Sequence, residues 1–368
     1  MRKFQQQMIF DLLQTIKQMQ SSGQYVNCQE GALSIGEFIE RIEGEGTRTV
    51  ALLEEYCELL FKVSIGEVSG ELLQKCLNQV ESSVRNELRP NKVEMAFFSY
   101  NASMSDSIES IYIAAKADPN CDAYWIPIPF FERKHDGSLG AMHYEGSECY
   151  GKDIECTDWL EYDIEARHPD VIFTFAPYVA GNYVTSVHPD FYCERLRELT
   201  DLLVYVPYFV VSGNVDEHFC TIAGCMYAHK VIVQSEEVRE MYICVFKKTF
   251  GNKFGKPEDK FIALGSPKFD AVINAKRENY KLPDEWIKSI GDKKVILYNT
   301  AVGAILQDGE QYFKKLRHVL DVFRKRNDVA LWWRPHPLIE STLGAMRPEL
   351  LDEYRSIVVD YKCGGSSI

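Results

Sequence analysis

The sequence predicts an α/β protein with two Rossmann-like halves behind an N-terminal helical cap, the second half stopping before its sheet is complete. Three observations predict this. From residue 93 onward, short continuous apolar runs alternate with helical stretches; residues 1–89 show helical spacing alone; and about 85 residues follow Pro283. Apolar runs that do not alternate with polar residues belong to a parallel sheet covered on both faces. The expected limits are 1–90 for the helical region, 91–282 for the first Rossmann-like half and 283–368 for a partial second one.

Each element follows from local pattern. Met8-Ile9, Leu12-Leu13 and Ile16 recur at helical spacing, as do Leu52-Leu53, Leu59-Leu60 and Val63, with Gly23, Gly31 and Gly44–Gly46 as breaks. Val93–Tyr100 reads as the first strand and Ser103–Lys116 as its helix. Strands at Ala123–Ile128, Asp170–Phe175, Leu202–Val206, Lys230–Val233 and Phe261–Leu264 continue the series, with helices at Tyr192–Leu199 and Glu236–Lys248. After Pro283 the pattern predicts strands at Lys294–Tyr298, Val329–Trp333 and Ser356–Asp360, and helices at Glu310–Arg326 and Pro348–Tyr354. Three strands are few for a fold that ordinarily has five or six.

Composition bounds the function. Among 368 residues, 46% are apolar and 12% aromatic, enough for sizeable cores. The net charge of −13 is spread as 9 basic against 13 acidic side chains in 1–90, 19 against 29 in 91–282 and 13 against 12 in 283–368. That balance argues against nucleic-acid binding through a basic surface, and an anionic ligand is expected on the last segment. The 11 cysteines lack the two-residue spacing of zinc knuckles or redox motifs, so free thiols and no metal site are expected. No apolar run approaches a membrane span, and Asp11 interrupts the apolar start, so the expected location is cytoplasmic.

In doubly wound sheets, ligands meet the carboxyl ends of strands. Two such places carry suggestive chemistry. Phe261–Asp270 ends a strand at Gly265, where the backbone can approach a ligand; Ser266 offers a hydroxyl to a phosphate, Lys268 a charge, and Asp270 a cap for the next helix. A plain Gly-Pro turn with a capped helix explains the same residues. Trp332–Pro337 places Arg334 after a buried strand and His336 between two prolines. This pair suits a pyrophosphate clamp or a proton carrier, and a structural histidine equally. Asn299 and Thr300 close the Lys294 strand toward the same cleft. His188 and His218 are the base candidates of the first half, with an ordinary loop role as the alternative. There is no G-x-G-x-x-G after the first strand, no Walker loop and no G-x-S-x-G elbow, which argues against nicotinamide, ATPase and hydrolase chemistry.

Taken together, Gly265-Ser266-Pro267-Lys268 with Asp270, and Arg334-Pro335-His336-Pro337, resemble the CDP-glycerol glycerophosphotransferase family, over roughly residues 93–360. The resemblance implies a GT-B architecture: two Rossmann-like domains facing a cleft, the nucleotide donor mainly on the second and the acceptor on the first. It implies metal-independent transfer of glycerol phosphate from CDP-glycerol to a hydroxyl of a polyol phosphate or glycan, in the synthesis of teichoic-acid-like surface polymers. His336 and Arg334 are then expected at the donor phosphates, with Gly265, Ser266, Lys268, Asn299 and Thr300 lining the cleft and no cofactor. His188 is the candidate base. Peripheral contact with the inner membrane face is a further implication, which the acidic charge of residues 1–282 does not support. Three features depart from the family pattern. There is no Trp-His-Gly stretch; Tyr298-Asn299-Thr300 replaces Tyr-x-Pro-Thr; and the Asp-Tyr-Ser-Ser stretch expected after Asp360 is absent, Gly365-Ser366-Ser367 being no substitute. A glycosyltransferase using a nucleotide sugar and a non-catalytic truncated homologue are the alternative expectations.

Overall fold

The computed structural model describes residues 1–134, 136–177, 182, 184–276, 278 and 281–361; the Gly365-Ser366-Ser367 stretch lies outside them. Four helices open the chain: α1 (Lys3–Ser21), α2 (Tyr25–Glu43), α3 (Arg48–Ser64) and α4 (Glu71–Glu87). Ile9, Leu13 and Ile16 of α1 meet Leu53, Tyr56 and Leu60 of α3 and Leu73, Leu77, Val80 and Val84 of α4 in one apolar core. Such spacing puts these residues on one helix face. At the start of α3 the Thr47 hydroxyl accepts from the Val50 amide, and the Glu87 carboxylate accepts from Arg48 and Thr49 amides at 2.9 Å, a favourable charge at a helix N-terminus. Gly31, expected to break a helix, lies inside α2. A Cβ there would sit 3.1 Å from the Ile16 side chain, so its role is to let α1 and α2 approach closely.

The strands, in chain order, are β1 (Val93–Ser99), β2 (Cys121–Pro127), β3 (Phe130–Arg133), β4 (Leu139–His143), β5 (Val171–Thr174), β6 (Thr185–Val187), β7 (Leu202–Tyr205), β8 (Lys230–Val233), β9 (Phe261–Ala263), β10 (Lys294–Thr300) and β11 (Val329–Pro335). Six of them form one parallel sheet in the order β2-β1-β5-β7-β8-β9. Register explains its core: Phe97 faces Trp125 on one side and Phe173 on the other, and its ring stacks on theirs at 6.3 and 4.8 Å. The chain passes from β2 back across β1 to β5, so the order reverses between β1 and β5. That reversal marks the ligand edge of such sheets. A small antiparallel sheet, β4-β3-β6, lies beyond the end of β2. Its short strands are too mixed in polarity to read from the sequence.

A polar latch holds the helical region to the opposite edge. The Glu94 carboxylate, buried near the start of β1, accepts from Arg167 Nε and Nη2 at 2.9 and 2.8 Å and from the Tyr162 hydroxyl at 2.8 Å; Arg2 lies 3.4 Å away. Arg2 also donates to the carbonyls of Arg167 and His168, while Phe4 stacks on the His168 ring at 4.3 Å.

The last segment forms a two-stranded parallel sheet, β10 against β11, in register from Lys294↔Val329 to Thr300↔Pro335. Helices Val302–Asp308, Glu310–Arg324, Ile339–Met346 and Leu351–Tyr361 accompany it. Phe313, Leu316, Leu343, Tyr354 and Ile357 make their core. The strand expected at Ser356–Asp360 is therefore the end of a helix: Tyr354 and Ile357 are buried one turn apart while Val359 is 75% exposed, a helical alternation hidden in a short apolar run. Val295, Ile296 and Leu297 of β10 are 42%, 37% and 55% exposed, although their pattern is that of a strand covered on both faces. Among the described residues, no helix is long and apolar enough to cross a membrane.

Candidate functional site

The first candidate region is the carboxyl edge of the six-stranded sheet. Gly265, just past β9, has φ +94°, a conformation that side chains rarely adopt, so the turn there requires glycine. Beyond it the structure spends most of the expected binding groups internally. The Lys268 ammonium is ion-paired with Asp106, and Asp270 accepts from the Ser110 hydroxyl at 2.7 Å. Asp270 sits in the first turn of the helix Lys268–Ile273, whose cap position is Pro267, so it does not cap that helix. The Ser266 Oγ is buried without a hydrogen-bond partner and lines an apolar crevice. These contacts take Lys268 and Asp270 out of a simple phosphate cradle: one neutralises a carboxylate, the other ties Lys268–Ile273 to α5 (Glu109–Ala117).

The turn after β1 carries a second surprise. Asn101 Oδ1 accepts from the Ser103 amide at 3.0 Å, and Glu145 Oε2 accepts from the Ala102 amide at 2.6 Å. In dinucleotide-binding folds these amides face a phosphate; here a carboxylate holds the position, in keeping with the absent glycine signature. Sequence reasoning missed Glu145 and Asp106, since nothing local pairs them with residues 43 and 162 positions away.

The second candidate region is the end of the β10–β11 pair. Register places Asn299 beside Arg334 and Thr300 beside Pro335. The buried Thr300 works from both ends: its carbonyl accepts from the His336 amide at 3.0 Å, and its hydroxyl accepts from Trp333 Nε1 at 3.2 Å. Thr300 therefore positions the Arg-Pro-His turn rather than reaching toward a ligand. His336 Nδ1 accepts from the Leu338 amide at 3.1 Å. An amide can only donate, so Nδ1 must hold its lone pair and the neutral ring carries its proton on Nε2. Partial desolvation lowers the His336 pKa from its ordinary value, favouring that neutral form. Among the described residues, the Arg334 guanidinium has no ion-pair partner and is exposed. Register thus sets Arg334 beside Asn299, and His336, tied to Thr300 through its amide, presents a neutral N–H donor.

The remaining histidines fit base chemistry less well. His188 Nδ1 accepts from the Asp190 amide at 3.3 Å, and the ring lies 5.8 Å from both Phe131 and Trp159. The lone pair a base would need is thus engaged in a turn. His218 lies beside Phe219, with ring centroids 5.6 Å apart. Ten described cysteines are free thiols, and no group of three His, Cys, Asp or Glu among the described residues could hold a metal ion.

No protein-family model and no curated protein sequence matches this chain. Solved structures do resemble it. A UDP co-structure of S. aureus MnaA is 13% identical, with 69% of this chain and 66% of that one covered and a TM-score of 0.42. A putative UDP-N-acetylglucosamine 2-epimerase from Listeria monocytogenes shows 13% identity, and another UDP-N-acetylglucosamine 2-epimerase 11%, each with the same coverage and a TM-score of 0.40. The chain spans 66% of the length of each. At these identities and scores the likeness carries no argument about chemistry, which rests on the side chains.

Proposed function

We propose that this chain binds a nucleotide-linked donor at the strand ends of β10 and β11 and is of the glycerophosphotransferase type, moving glycerol phosphate from CDP-glycerol to an acceptor hydroxyl. The supporting observation is the pair of uncommitted donors at one turn: the unpaired Arg334 guanidinium and the Nε2–H of a neutral His336 whose other nitrogen is held by the Leu338 amide. A diphosphate needs charge and directed N–H groups together, and Arg334 supplies a planar fork for two oxygens. Residues 283–368, the one segment without an acidic excess, suit that ligand. The domain limits in this reading fall near residues 90 and 283.

The reaction forms a bond from the acceptor oxygen to the donor's β-phosphorus as the bond to the bridging oxygen breaks; the acceptor hydroxyl gives up its proton to water, and CMP leaves with the electron pair. Arg334 offsets the charge gathering on CMP, and His336 donates one hydrogen bond to it without changing its own charge. His188 is left out of this mechanism because its lone pair is already used. The acceptor is a polyol phosphate or glycan hydroxyl, met at the membrane face if the polymer grows there.

Thermal-shift and calorimetric titrations with CDP-glycerol, UDP-linked and GDP-linked sugars test the reading. Stabilisation by CDP-glycerol and CMP alone supports it. A response confined to nucleotide sugars makes the protein a glycosyltransferase instead, and a response to none makes it a non-catalytic module.

A further inference from the structure

We infer that the outer edge of β2, beside Ala123, is a docking site for a short basic peptide, which adds there in extended conformation. β2 is an outer strand of the six-stranded sheet. In a parallel ladder, alternate residues turn both of their backbone groups to the same side. The Val93 amide donates to the Asn120 carbonyl and the Ile128 amide to the Ser99 carbonyl, both at 2.9 Å, so the even-numbered residues of β2 face β1. Cys121, Ala123 and Trp125 therefore face outward. Trp125 is met there: Cys156 bridges it in parallel, and the Thr157 amide donates to its carbonyl at 2.8 Å. The Cys121 amide is spent on the Asp118 carbonyl at 3.0 Å. The Ala123 N–H and the carbonyls of Ala123 and Cys121 remain without a partner among the described residues, although Ala123 is only 7% exposed. Backbone groups at such depth are ordinarily paired.

A groove of about 390 Å³ lies against these groups, within the size range of ligand sites. Its two ends decide the occupant. The turn at Asp118–Asn120 closes one, and the Glu155–Thr157 segment, already bridged to Trp125, closes the other. The edge is open from Cys121 to Ala123, roughly 10 Å, which suits a peptide of about three residues and is too short for pairing between two copies of this chain. Extended backbone supplies an acceptor for the Ala123 N–H and a donor for its carbonyl together. Charge then selects the side chain. Lys92 pairs with Asp122 at 3.1 Å and Lys116 with Glu155 at 2.8 Å, which leaves Asp118 without an ion-pair partner among the described residues. The groove thus carries one surplus negative charge and favours a lysine or arginine on the peptide.

The test is an NMR titration of the full chain with acetyl-Val-Lys-Val-amide, and with the same peptide N-methylated at its backbone amides. The inference predicts saturable shifts at the Cys121 and Ala123 amides and slowed hydrogen exchange at the Ala123 N–H. The N-methylated peptide, which cannot donate to the edge carbonyls, binds at least about tenfold more weakly. Asp118→Asn, which keeps the acceptor that holds the Asn120 amide, weakens binding of the lysine peptide roughly two- to fivefold. Shifts that stay linear with peptide concentration overturn the inference, and so does an N-methylated peptide that binds as tightly as the parent one. A peptide with glutamate in place of lysine that binds as well or better overturns its basic character. Because donor binding is read with CMP on β10 and β11, failure here leaves that proposal standing, and the reverse.

Discussion

Replacing Arg167 with methionine should destabilise the edge of the parallel sheet on which the helical region docks by more than removing any surface ion pair does. Arg167 gives Glu94 two charge-assisted hydrogen bonds, at 2.9 and 2.8 Å, and its guanidinium lies 4.4 Å over the Tyr124 ring. Each such bond is worth roughly 1.5–3 kcal/mol, which sets an upper figure near 6 kcal/mol for the two. Two corrections reduce it. The Arg167 side chain is about one-third exposed, so water already screens part of the interaction, and Arg2 remains 3.4 Å from the carboxylate to offset its charge. About 3 kcal/mol remains, most of it the cost of leaving Glu94 buried with Tyr162 and Arg2 alone. Urea unfolding followed by circular dichroism reads this directly. The comparison is Lys3→Ala, which removes a 2.9 Å pair to Asp201 that is largely exposed and should cost less than about 1 kcal/mol. Equal, small losses in both variants would refute the reasoning that burial decides the worth of this latch.

Other consequences can be checked on the same protein. Lys260 is buried with its ammonium donating to the Met226 and Ala228 carbonyls, and burial pulls its pKa down from 10.5 to about 8. The folded state therefore binds fewer protons than the unfolded one between about pH 8 and 10.5. The charge costs stability in full below pH 8, and that cost is relieved as pH rises. Relative to Lys260→Met, the parent protein should gain on the order of 3 kcal/mol in urea unfolding between pH 7.5 and 10.5; no gain contradicts the burial cost. Gly265→Ala should lose about 1–2 kcal/mol through backbone strain alone, since no atom lies within 4 Å of the new Cβ, and thermal unfolding will show it. Lys268→Ala should change CMP affinity less than about twofold by calorimetry, because its charge is already spent on Asp106; a tenfold loss places Lys268 at the donor after all.

Much of the fold was legible because the β-strands of the main sheet are continuous apolar runs bounded by turns, and those survive any tertiary context. Periodicity failed at Ser356–Asp360, where five residues fit a strand or a buried helix face equally, and only packing against Phe313 and its neighbours decides. The strand-end residues Asn299, Thr300, Arg334 and His336 were legible as a group, since register brings β10 and β11 together. Their individual duties were not. Thr300 is turned inward by Trp333 and His336, and Lys268 and Asp270 are claimed by Asp106 and Ser110, partners 160 or more positions away that no local pattern reveals.

Calorimetric titration of CMP into the parent protein and the Arg334→Ala variant bears most directly on the proposed donor site. Removing the one unpaired guanidinium at the β11 turn should raise Kd roughly 10- to 100-fold, the worth of a charged hydrogen-bond pair to phosphate, while leaving the melting temperature unchanged because Arg334 is exposed. CMP that binds the two proteins equally, or fails to bind the parent protein at all, contradicts a donor site at the ends of β10 and β11.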